Sequence, residues 1–342
     1  MVELNGKKIL VTFLMHLGDL TLTTPFIHAL RKAAPDAHIT MLVDEKLKDV
    51  VLFNPYLDEV VTIDKKGRDN SILSLWACSR HLSKLDFDVL INLHPNERCS
   101  FIDAMTSVRL RTGTTHKIFK WFWDVFTPLD RSMHAADMYL DVLQQLGVQD
   151  LSNNGLEIFP GEEHFLEAEL FWQEQNITDQ DKLIGFNIGS AVPTKRWPPE
   201  RFAEVADIFA AKGYKTVFFG GPMDEEMVAE ATGYMQTRPI IATGHFAIGG
   251  LAAAMRRCCL IITNDSGPMH VAISQKVPIV AMYGPSNPKL YGPYTKDAVI
   301  VTAQPPCQGC ADGMKHSCDD LQCMSRMMVE QVVAAADTML NK

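Results

Sequence analysis

Three short stretches of the sequence combine residue types and positions that could bind a phosphorylated ligand. In the first, a run of leucine and isoleucine predicts a buried strand, and Asp265, Ser266 and Gly267 follow in the turn that ends it. Pro268 favours the first turn of a helix, which would also contain His270. The junction between a strand and a helix N-terminus is a frequent anion site in α/β proteins. This stretch therefore predicts a phosphate or sugar site; the alternative is an ordinary turn in which Asp265 or Ser266 only caps the helix.

The second stretch is a loop after another predicted strand, and it contains Gly189, Ser190 and Lys195. Glycine allows close backbone approach, the hydroxyl of Ser190 can donate a hydrogen bond, and Lys195 can place a positive charge on a diphosphate as it leaves. Such a lysine would stabilise the leaving diphosphate in place of a metal ion. The alternative is that Lys195 is a solvated loop charge.

The third stretch is the loop after the first predicted strand, where Gly18 precedes Asp19. If an acceptor hydroxyl attacks an activated sugar in one displacement, the enzyme needs a base near the acceptor and no nucleophile of its own. A carboxylate in a strand-to-helix loop has the right position for that base. The alternative, equally favoured by the pattern, is that Asp19 caps the following helix.

Alternating strand and helix patterns surround these stretches and must position them. The alternation fills the first 93 residues and returns after residue 183, and between the two parts Asn, Gly and Pro mark a linker near 152–162. We therefore predict an α/β protein with two Rossmann-like, doubly wound domains that face a central cleft. The predicted domains are residues 1–160 and 161–325, followed by a terminal helix within 326–342 that returns to the first domain.

The overall composition is that of a globular protein. The chain has 342 residues, of which 47% are hydrophobic and 21% are charged, and this length favours two domains. A net charge of −9 argues against nonspecific nucleic-acid binding. The chain opens in a strand pattern, and Arg256 and Arg257 interrupt its longest apolar stretch, so we expect a cytoplasmic protein without a membrane span.

The eight cysteines form two groups. Those in apolar or mixed segments are typical of reduced, buried side chains: Cys78, Cys99, Cys258 and Cys259. The other four lie close together near the C-terminus: Cys307, Cys310, Cys318 and Cys323. They could bind a structural zinc ion, although only one pair has the familiar two-residue gap; the alternative is reduced thiols or disulfides formed after isolation.

Basic and aromatic residues alternate in one segment of the first domain. The segment 109–123 contains Arg109, Arg111, Lys117, Lys120, Phe119, Trp121, Phe122 and Trp123. This mixture suits an anionic lipid headgroup at a membrane surface, and Lys65, Lys66, Arg68 and Arg98 would extend the basic patch. The alternative is a helix that packs its aromatic side chains inward.

The three stretches resemble the motifs of one known family. Asn-Asp-Ser-Gly-Pro-Met-His at 264–270 resembles the Asp-(Ser/Thr)-Gly-x-x-His signature of the ADP-heptose:lipopolysaccharide heptosyltransferases, glycosyltransferase family 9. The Gly-Asp pair at 18–19 and Lys-Arg-Trp-Pro at 195–198 also resemble motifs of that family, and the three motifs occur along the chain in the family's order. The resemblance spans nearly the whole chain. It implies a GT-B fold and transfer of heptose from ADP-heptose to the lipopolysaccharide inner core, on the inner face of the cytoplasmic membrane.

The resemblance also implies roles for individual residues. Asp19 is expected to be the base, and the donor diphosphate is expected to contact Ser190, Lys195, Ser266, Gly267 and His270, with Asp265 near the sugar. The family places an acidic ribose contact where this chain has Asp224 and Glu225, and Phe246 could lie against the adenine ring. Acceptor binding would fall to the basic patch of the first domain.

The combined prediction is an inverting, metal-independent glycosyltransferase that requires no cofactor besides its ADP-heptose substrate. Asp86-Phe-Asp88 resembles the Asp-x-Asp of metal-dependent transferases, but it precedes a strand and so lies at the wrong end of the sheet. One rival is another nucleotide-sugar transferase or a sugar-nucleotide epimerase, which would need a second acid or base. The rival outside enzymes is a nucleotide-sugar or lipopolysaccharide binding protein.

Overall fold

The computed structural model describes residues 2–303, 318 and 321–342. The chain divides into two compact units, Met1–Phe159 and Pro160–Lys342. Each unit is built on one sheet of six strands, and the strand pairs described in both sheets are parallel. The two units therefore repeat one architecture, as the alternating sequence pattern predicts.

The sheet of the first unit has the strand order β3-β2-β1-β4-β5-β6. Its strands are β1 (Lys8–Thr12), β2 (His38–Asp44), β3 (Glu59–Ile63), β4 (Phe87–Asn92), β5 (Val108–Gly113) and β6 (Val125–Phe126). Its helices are α1 (Leu17–Thr21), α2 (Thr24–Ala33), the 3-10 helix Glu45–Val50, α3 (Ile72–Ser83), α4 (Glu97–Met105), the 3-10 helix Lys117–Phe122 and α5 (Ala135–Gln145). The strand order reverses between β1 and β4, and open sheets of this kind bind ligands at such a reversal, beside the carboxyl ends of the strands.

The sheet of the second unit has the corresponding order β12-β11-β10-β7-β8-β9. Its strands are β7 (Leu183–Asn187), β8 (Lys215–Phe219), β9 (Ile240–Ile241), β10 (Cys258–Asn264), β11 (Ile279–Met282) and β12 (Ala298–Val301). Its helices are α6 (Glu162–Glu174), the 3-10 helix Pro193–Lys195, α7 (Pro199–Ala211), the 3-10 helix Pro222–Asp224, α8 (Glu225–Tyr234), α9 (Ile248–Met255), α10 (Gly267–Ser274), α11 (Pro288–Tyr291), α12 (Gln322–Ser325) and α13 (Val329–Leu340). Here the reversal falls between β7 and β10.

Local sequence explains where several helices begin. At the start of α3, the Ser71 hydroxyl accepts from the Ser74 N–H, and the Ser74 hydroxyl accepts from the Ser71 N–H, which is a capping box. The Asn96 side chain accepts from the Cys99 N–H at 2.7 Å and caps α4. Pro199 opens α7, where a missing N–H costs nothing.

The C-terminal helix α13 packs on the second unit. Its buried side chains Val332, Ala336 and Met339 belong to the same core as Trp197 and Phe202. We expected this helix to return to the first domain, but the core of the second unit covers its apolar side. An amphipathic pattern predicts that a helix buries one face, and it does not identify the surface that receives that face.

The basic and aromatic segment 109–123 is not one helix. It starts in β5, continues as the 3-10 helix Lys117–Phe122 and ends at Trp123, whose indole N–H donates to the Thr112 carbonyl at 3.0 Å. Trp123 is buried, whereas Trp121 is exposed. The alternative that these aromatic side chains all pack inward is therefore wrong.

The cysteines are only partly covered by the structure. Cys99 and Cys258 are buried and Cys78 is half-buried, while Cys323 lies in the core of the second unit. Cys307 and Cys310 lie outside the described residues, so the zinc site stays a prediction. Within the described part of the chain, no group of three or more His, Cys, Asp or Glu side chains is arranged to hold a metal ion.

Across residues 2–303, 318 and 321–342, no helix has both the length and the apolar composition that a bilayer span requires.

Candidate functional site

An ion pair between two predicted site residues lies at the carboxyl edge of the second sheet. Lys195 follows β7 and Asp265 follows β10, which are neighbouring parallel strands. The Lys195 Nζ lies 2.7 Å from the Asp265 Oδ2, and the two side chains are only 13% and 7% exposed. The alternative that Lys195 is a solvated loop charge is therefore wrong. Partial burial strengthens the attraction between these charges relative to an exposed pair.

Strand β11 and the loop after it hold Asp265 in place through its carboxylate and its backbone. Ser286, which follows β11, donates its hydroxyl to the same Oδ2. The Asp265 N–H donates to the Met282 carbonyl at 3.2 Å. Burial raises the pKa of the Tyr283 hydroxyl well above its usual value, and the nearby Asp265 charge adds to this effect. Sequence reasoning missed Ser286, although its position just after a parallel strand is the signal that could have found it.

Two asparagines hold the loops of this edge together. The Asn187 Nδ2 donates to the Thr263 hydroxyl at 3.0 Å and to the Ser266 hydroxyl at 2.8 Å. The Asn264 Nδ2 donates to the Ile188 carbonyl at 2.6 Å, and its Oδ1 accepts from the Trp197 N–H at 3.1 Å. Because each asparagine bridges β7 and β10 or the loops that follow them, the lysine loop and the Asp265 turn are fixed relative to each other.

The helix that follows Asp265 begins at Gly267, one residue before the predicted start at Pro268, which lies in its first turn. Ser266 is at the N-cap position but makes no side-chain capping bond, and Asp265 is paired with Lys195. The alternative in which these two residues only cap the helix is therefore wrong. His270 is buried in the first turns of α10, and the Ser190 hydroxyl donates to the Asp265 carbonyl at 3.4 Å.

The weaker donor candidates lie after β8 and β9 on the same edge. Asp224 is buried, and its Oδ2 accepts from the Gly221 N–H at 2.9 Å. A Cβ at Gly189 would lie 2.1 Å from the Asp224 Oδ1, so the close approach at Gly189 is made by this carboxylate. Glu225 is exposed, in the first turn of α8. The half-buried Phe246 ring packs edge-to-face on Phe171, with a centroid separation of 5.0 Å.

In the first unit, Asp19 lies in the first turn of α1, beyond the carboxyl end of β1. The helices α1 and α2 have His16 and Thr23 at their N-caps, so the alternative that Asp19 is a helix cap is wrong. The His16 Nδ1 lies 3.6 Å from the Asp19 Oδ2. Burial raises the pKa of Asp19 above its usual value, and His16 opposes that shift.

A half-buried lysine supports the loop between β1 and the helix that contains Asp19. The Lys65 Nζ donates to the carbonyls of Leu14 and Met15 at 2.7 and 2.8 Å and lies 3.0 Å from the Asp44 Oδ2. These contacts place Lys65 beneath the loop and not in the exposed basic patch that we predicted. Sequence reasoning missed Asp44 as its partner, although Asp44 ends β2 at the same edge.

Beneath this loop are polar groups that burial keeps uncharged. The Thr12 hydroxyl lies 2.9 Å from the Asp103 Oδ2. Burial raises the pKa of Asp103 to about 8, and the Thr12 hydroxyl opposes this shift. Burial lowers the pKa of His94 to about 4, and electrostatic interactions with Lys65 and His16 add to the shift. Asp103 therefore holds a proton at pH 7, and His94 is neutral.

Two of the predicted acceptor residues have other partners. Arg109 pairs with Asp88 at 3.0 Å, at the amino ends of β4 and β5, and so lies at the end of the sheet opposite the Asp19 loop. The Arg111 guanidinium donates to the carbonyls of Asp103 and Thr106, where it holds the end of α4. We therefore withdraw both arginines as acceptor contacts. Spacing along the chain does not show which end of the sheet a strand residue occupies or which side chains and carbonyls it meets, so it could not separate these two arginines from the other candidates.

The other four acceptor candidates lie nearer the carboxyl edge. Arg68 is exposed and pairs with Glu45 at 2.8 Å. Arg98, at the start of α4, donates to the Lys65 carbonyl and to the Asn70 Oδ1. Lys117 and Lys120 are exposed on the 3-10 helix.

Comparison with solved structures identifies the class of protein. The crystal structure of the glycosyl transferase family 9 from Veillonella parvula DSM 2008 matches with a TM-score of 0.95 and 54% identity over 99% of both chains. The structure of E. coli ADP-heptose lps heptosyltransferase II matches with a TM-score of 0.78 and 21% identity over 98% of both chains. The protein is therefore an α/β glycosyltransferase of the GT-B fold, as predicted.

Sequence comparison identifies the family within that class. The model of glycosyltransferase family 9 (heptosyltransferase) matches residues 75–318. Lipopolysaccharide heptosyltransferase 3 of Escherichia coli (strain K12) is 24% identical over 341 residues, which cover 94% of this chain and 95% of that relative. The chain belongs to glycosyltransferase family 9, which confirms the resemblance seen in its motifs.

Proposed function

We propose that this protein transfers heptose from ADP-heptose to the inner core of lipopolysaccharide. Its family and its similarity to lipopolysaccharide heptosyltransferases 2 and 3 of E. coli support this donor and acceptor class. The observation that carries the proposal is the Lys195–Asp265 pair at the carboxyl edge of the second sheet. It puts a cation next to a helix N-terminus, where a leaving diphosphate needs positive charge.

The strand order suggests how the donor lies along this edge. The loops after β11, β10, β7, β8 and β9 contribute, in that order, Ser286, Asp265, Lys195, Asp224 and Phe246. The sugar would lie near Asp265, the diphosphate at Lys195 with Ser190, Ser266, Gly267 and His270, and the nucleoside toward β8 and β9. Glu225 is the better ribose contact, because the Asp224 carboxylate already accepts from Gly221 and fills the space beside Gly189. Phe246 would lie against the adenine.

The reaction is a single displacement that inverts the anomeric carbon. The acceptor hydroxyl gives its proton to the Asp19 carboxylate, and its oxygen forms a bond to C1 of the heptose. The bond from C1 to the phosphate oxygen breaks, and ADP leaves with the electron pair. Lys195 stabilises the charge that grows on the diphosphate, in place of a metal ion.

Asp19 suits the role of base for two reasons. It lies in the first turn of α1, and the Lys65 ammonium fixes the loop before this helix through the carbonyls of Leu14 and Met15. Its raised pKa makes the carboxylate a better proton acceptor than an ordinary aspartate. Removing a base of this kind lowers kcat by about 10²- to 10⁴-fold.

The anionic core acceptor would contact Arg68, Arg98, Lys117 and Lys120 in the first unit. Lys117 and Lys120 are exposed, whereas Arg68 and Arg98 would have to share their present partners. A core that carries phosphate and acidic sugars would be attracted to these positive charges.

The proposal is tested by incubating the purified protein with ADP-heptose and with lipopolysaccharide acceptors truncated at successive core sugars. We expect ADP release that requires acceptor, persists in EDTA and gives the inverted product linkage. Loss of turnover in EDTA would disprove the metal-independent mechanism, and turnover of donor without acceptor would favour the epimerase. Tight donor binding with no turnover would favour a binding protein.

The Asp19→Asn variant tests the base. We expect kcat to fall by about 10²- to 10⁴-fold while donor affinity stays near that of the wild type, because the amide cannot accept the proton. The matched control is Asp86→Asn, which changes an exposed aspartate in the loop before β4. Near-normal turnover by Asp19→Asn would remove Asp19 as the base.

A further inference from the structure

Two elements of the first unit show large apolar side chains to solvent. On α3, Leu73 is 79% exposed, and on the 3-10 helix Lys117–Phe122, Trp121 is 96% exposed. We call the exposed set the apolar surface: Ile72, Leu73, Trp76, Ile118, Trp121 and Phe122. An indole that makes almost no contact with its own chain is unusual for a monomeric globular protein, and such clusters mark interaction sites.

These residues are not core residues left uncovered. Helix α3 buries Leu75, Ser79 and Leu82 on its other side. The 3-10 helix is likewise anchored, since Phe119 packs edge-to-face on Phe101 with a centroid separation of 6.3 Å and Trp123 follows as a buried residue. Each element therefore has one apolar side for the core and a second apolar side that faces solvent.

The start of α4 brings the two elements together. Arg98 donates to Asn70, which directly precedes α3, and Glu97 lies 3.9 Å from His116, which directly precedes the 3-10 helix. The His116 N–H also donates to the Ser100 hydroxyl at 2.8 Å. The first turns of α3, α4 and the 3-10 helix thus meet at the carboxyl edge of the first sheet, which is also the edge that carries Asp19.

Positive charge surrounds the apolar surface. Exposed basic residues lie on the two elements and in the loop before α3: Lys66, Arg68, Arg80, Lys117 and Lys120. Glu97 is an exposed acidic residue at the start of α4. The Lys120 ammonium lies 4.5 Å from the centre of the Phe126 ring, and the Arg80 guanidinium lies 5.9 Å from the centre of the Trp76 ring. Amphipathic side chains of this kind keep their apolar parts in the bilayer boundary and their charges at the lipid phosphates.

We propose that the apolar surface docks the protein on a bilayer that contains anionic lipids. Trp121 and Leu73 would enter the boundary between headgroups and acyl chains, and the surrounding lysines and arginines would lie against the lipid phosphates. A second copy of the chain is a poorer occupant, because a two-fold interface would bring the same positive charges face to face. The proposal goes beyond the transfer reaction, since it assigns a membrane contact that does not depend on the acceptor sugar.

Vesicle binding tests this surface. The full-length protein is mixed with vesicles of phosphatidylcholine containing one third phosphatidylglycerol, or of phosphatidylcholine alone, and sedimented at low and high salt. We expect binding to the anionic vesicles that weakens with salt, and a blue shift of tryptophan emission on binding. The Leu73→Ser/Trp121→Ser variant should need about ten times more lipid or more for half-maximal binding, because two large apolar side chains no longer insert.

The matched control is Leu166→Ser/Leu170→Ser, which removes two exposed leucines from α6 in the second unit and should bind as the wild type does. Thermal melts of both variants check that the fold is retained. A second comparison is Lys117→Glu/Lys120→Glu, which should weaken binding to anionic vesicles, whereas Lys182→Glu on the second unit should not.

These measurements distinguish a failure of the proposed membrane contact from a failure of the proposed transfer reaction. Turnover with a deacylated core acceptor should be the same for the wild type and for Leu73→Ser/Trp121→Ser, while vesicle binding differs. A wild type that ignores anionic vesicles, or a Leu73→Ser/Trp121→Ser variant that binds them normally, overturns the proposal. Sedimentation that reveals a dimer dissolved by Leu73→Ser/Trp121→Ser, without vesicle binding, assigns the surface to a second copy of the chain.

Discussion

Each unit contains a lysine–aspartate pair, with a half-buried lysine and a buried aspartate, at the carboxyl edge of its sheet. Lys65 and Asp44 in the first unit are 3.0 Å apart and 14% and 7% exposed; Lys195 and Asp265 in the second are 2.7 Å apart and 13% and 7% exposed. The pairs differ in the other hydrogen bonds of the lysine. The Lys65 ammonium also donates to two backbone carbonyls, whereas within residues 2–303, 318 and 321–342 the Lys195 ammonium donates to Asp265 alone.

We propose that this difference separates a structural lysine from a lysine that binds a ligand. An ammonium group has three N–H donors. Lys65 directs all three at its own chain, where they hold the loop before Asp19. Lys195 directs one at a described residue, Asp265, and no other described residue accepts its remaining two N–H donors. Burial and charge are the same at both sites, and only the use of the donors distinguishes them.

The largest expected effect is on activity at Lys195. We expect Lys195→Met to lower kcat about 10²- to 10³-fold, because the departing diphosphate loses its positive partner. The measurement is steady-state ADP release, with Lys182→Met as the control for loss of one lysine. If Lys195→Met turned over nearly as well as the wild type, the two pairs would both be structural and the distinction would fail.

Lys65→Met should act mainly on stability. Removing this ammonium leaves Asp44 buried without its cation and two carbonyls without a donor, so we expect the free energy of unfolding to fall by about 3 kcal/mol. Urea denaturation of the variant, beside Lys48→Met at an exposed position on the Glu45–Val50 3-10 helix, measures the loss. Unchanged stability combined with lost donor binding would reverse the roles that we assign to Lys65 and Lys195.

Asp103 extends the comparison to a buried aspartate without a lysine partner among the described residues. Burial raises its pKa to about 8 in the folded protein, whereas an aspartate in the unfolded chain has a pKa of about 3.9. The folded state therefore holds the extra proton, and its stabilising contribution is complete below about pH 4 and is lost as the pH rises toward 8.

We expect Asp103→Asn to flatten the fall in the free energy of unfolding between about pH 4 and pH 8, by at most about 1.4 kcal/mol per pH unit. The measurement is urea denaturation at intervals of one pH unit, with the exposed Asp86→Asn as the control. Equal slopes for wild type and Asp103→Asn would show that Asp103 is ionised in the folded protein.

Ser286→Ala should give the smallest effect and refine the description of the Lys195 pair. Loss of its hydroxyl removes one hydrogen bond from the Asp265 carboxylate, so Lys195 is held less firmly. We expect kcat to fall about tenfold with little change in stability, which corresponds to about 1.4 kcal/mol. Ser325→Ala, at an exposed serine on α12, is the control. Equal kcat values for Ser286→Ala and the wild type would show that the Ser286 hydroxyl does not contribute to the function of the Lys195–Asp265 pair.

Several features were predictable because they depend on neighbours in the chain. Apolar runs followed by Gly, Asp and Pro predicted the strand-to-helix junctions at Asp19 and Asp265, and the repeated alternation predicted two doubly wound units. The motifs also predicted the family, which the comparisons confirm. These signals are local, so a single sequence contains them in full.

The tertiary structure decided which of these residues meet. Ser286 and Lys195 both contact Asp265 because β11, β10 and β7 are neighbours in the sheet, and nothing in the chain order fixes that arrangement. Arg109 looked equivalent to Lys120 in sequence, yet strand direction puts it at the opposite end of the sheet from Asp19. A sequence specifies the period and the ends of each element through short-range sterics and hydrogen bonding. The partners of a side chain depend on strand order and on which faces are buried, and these are set only when the whole sheet assembles.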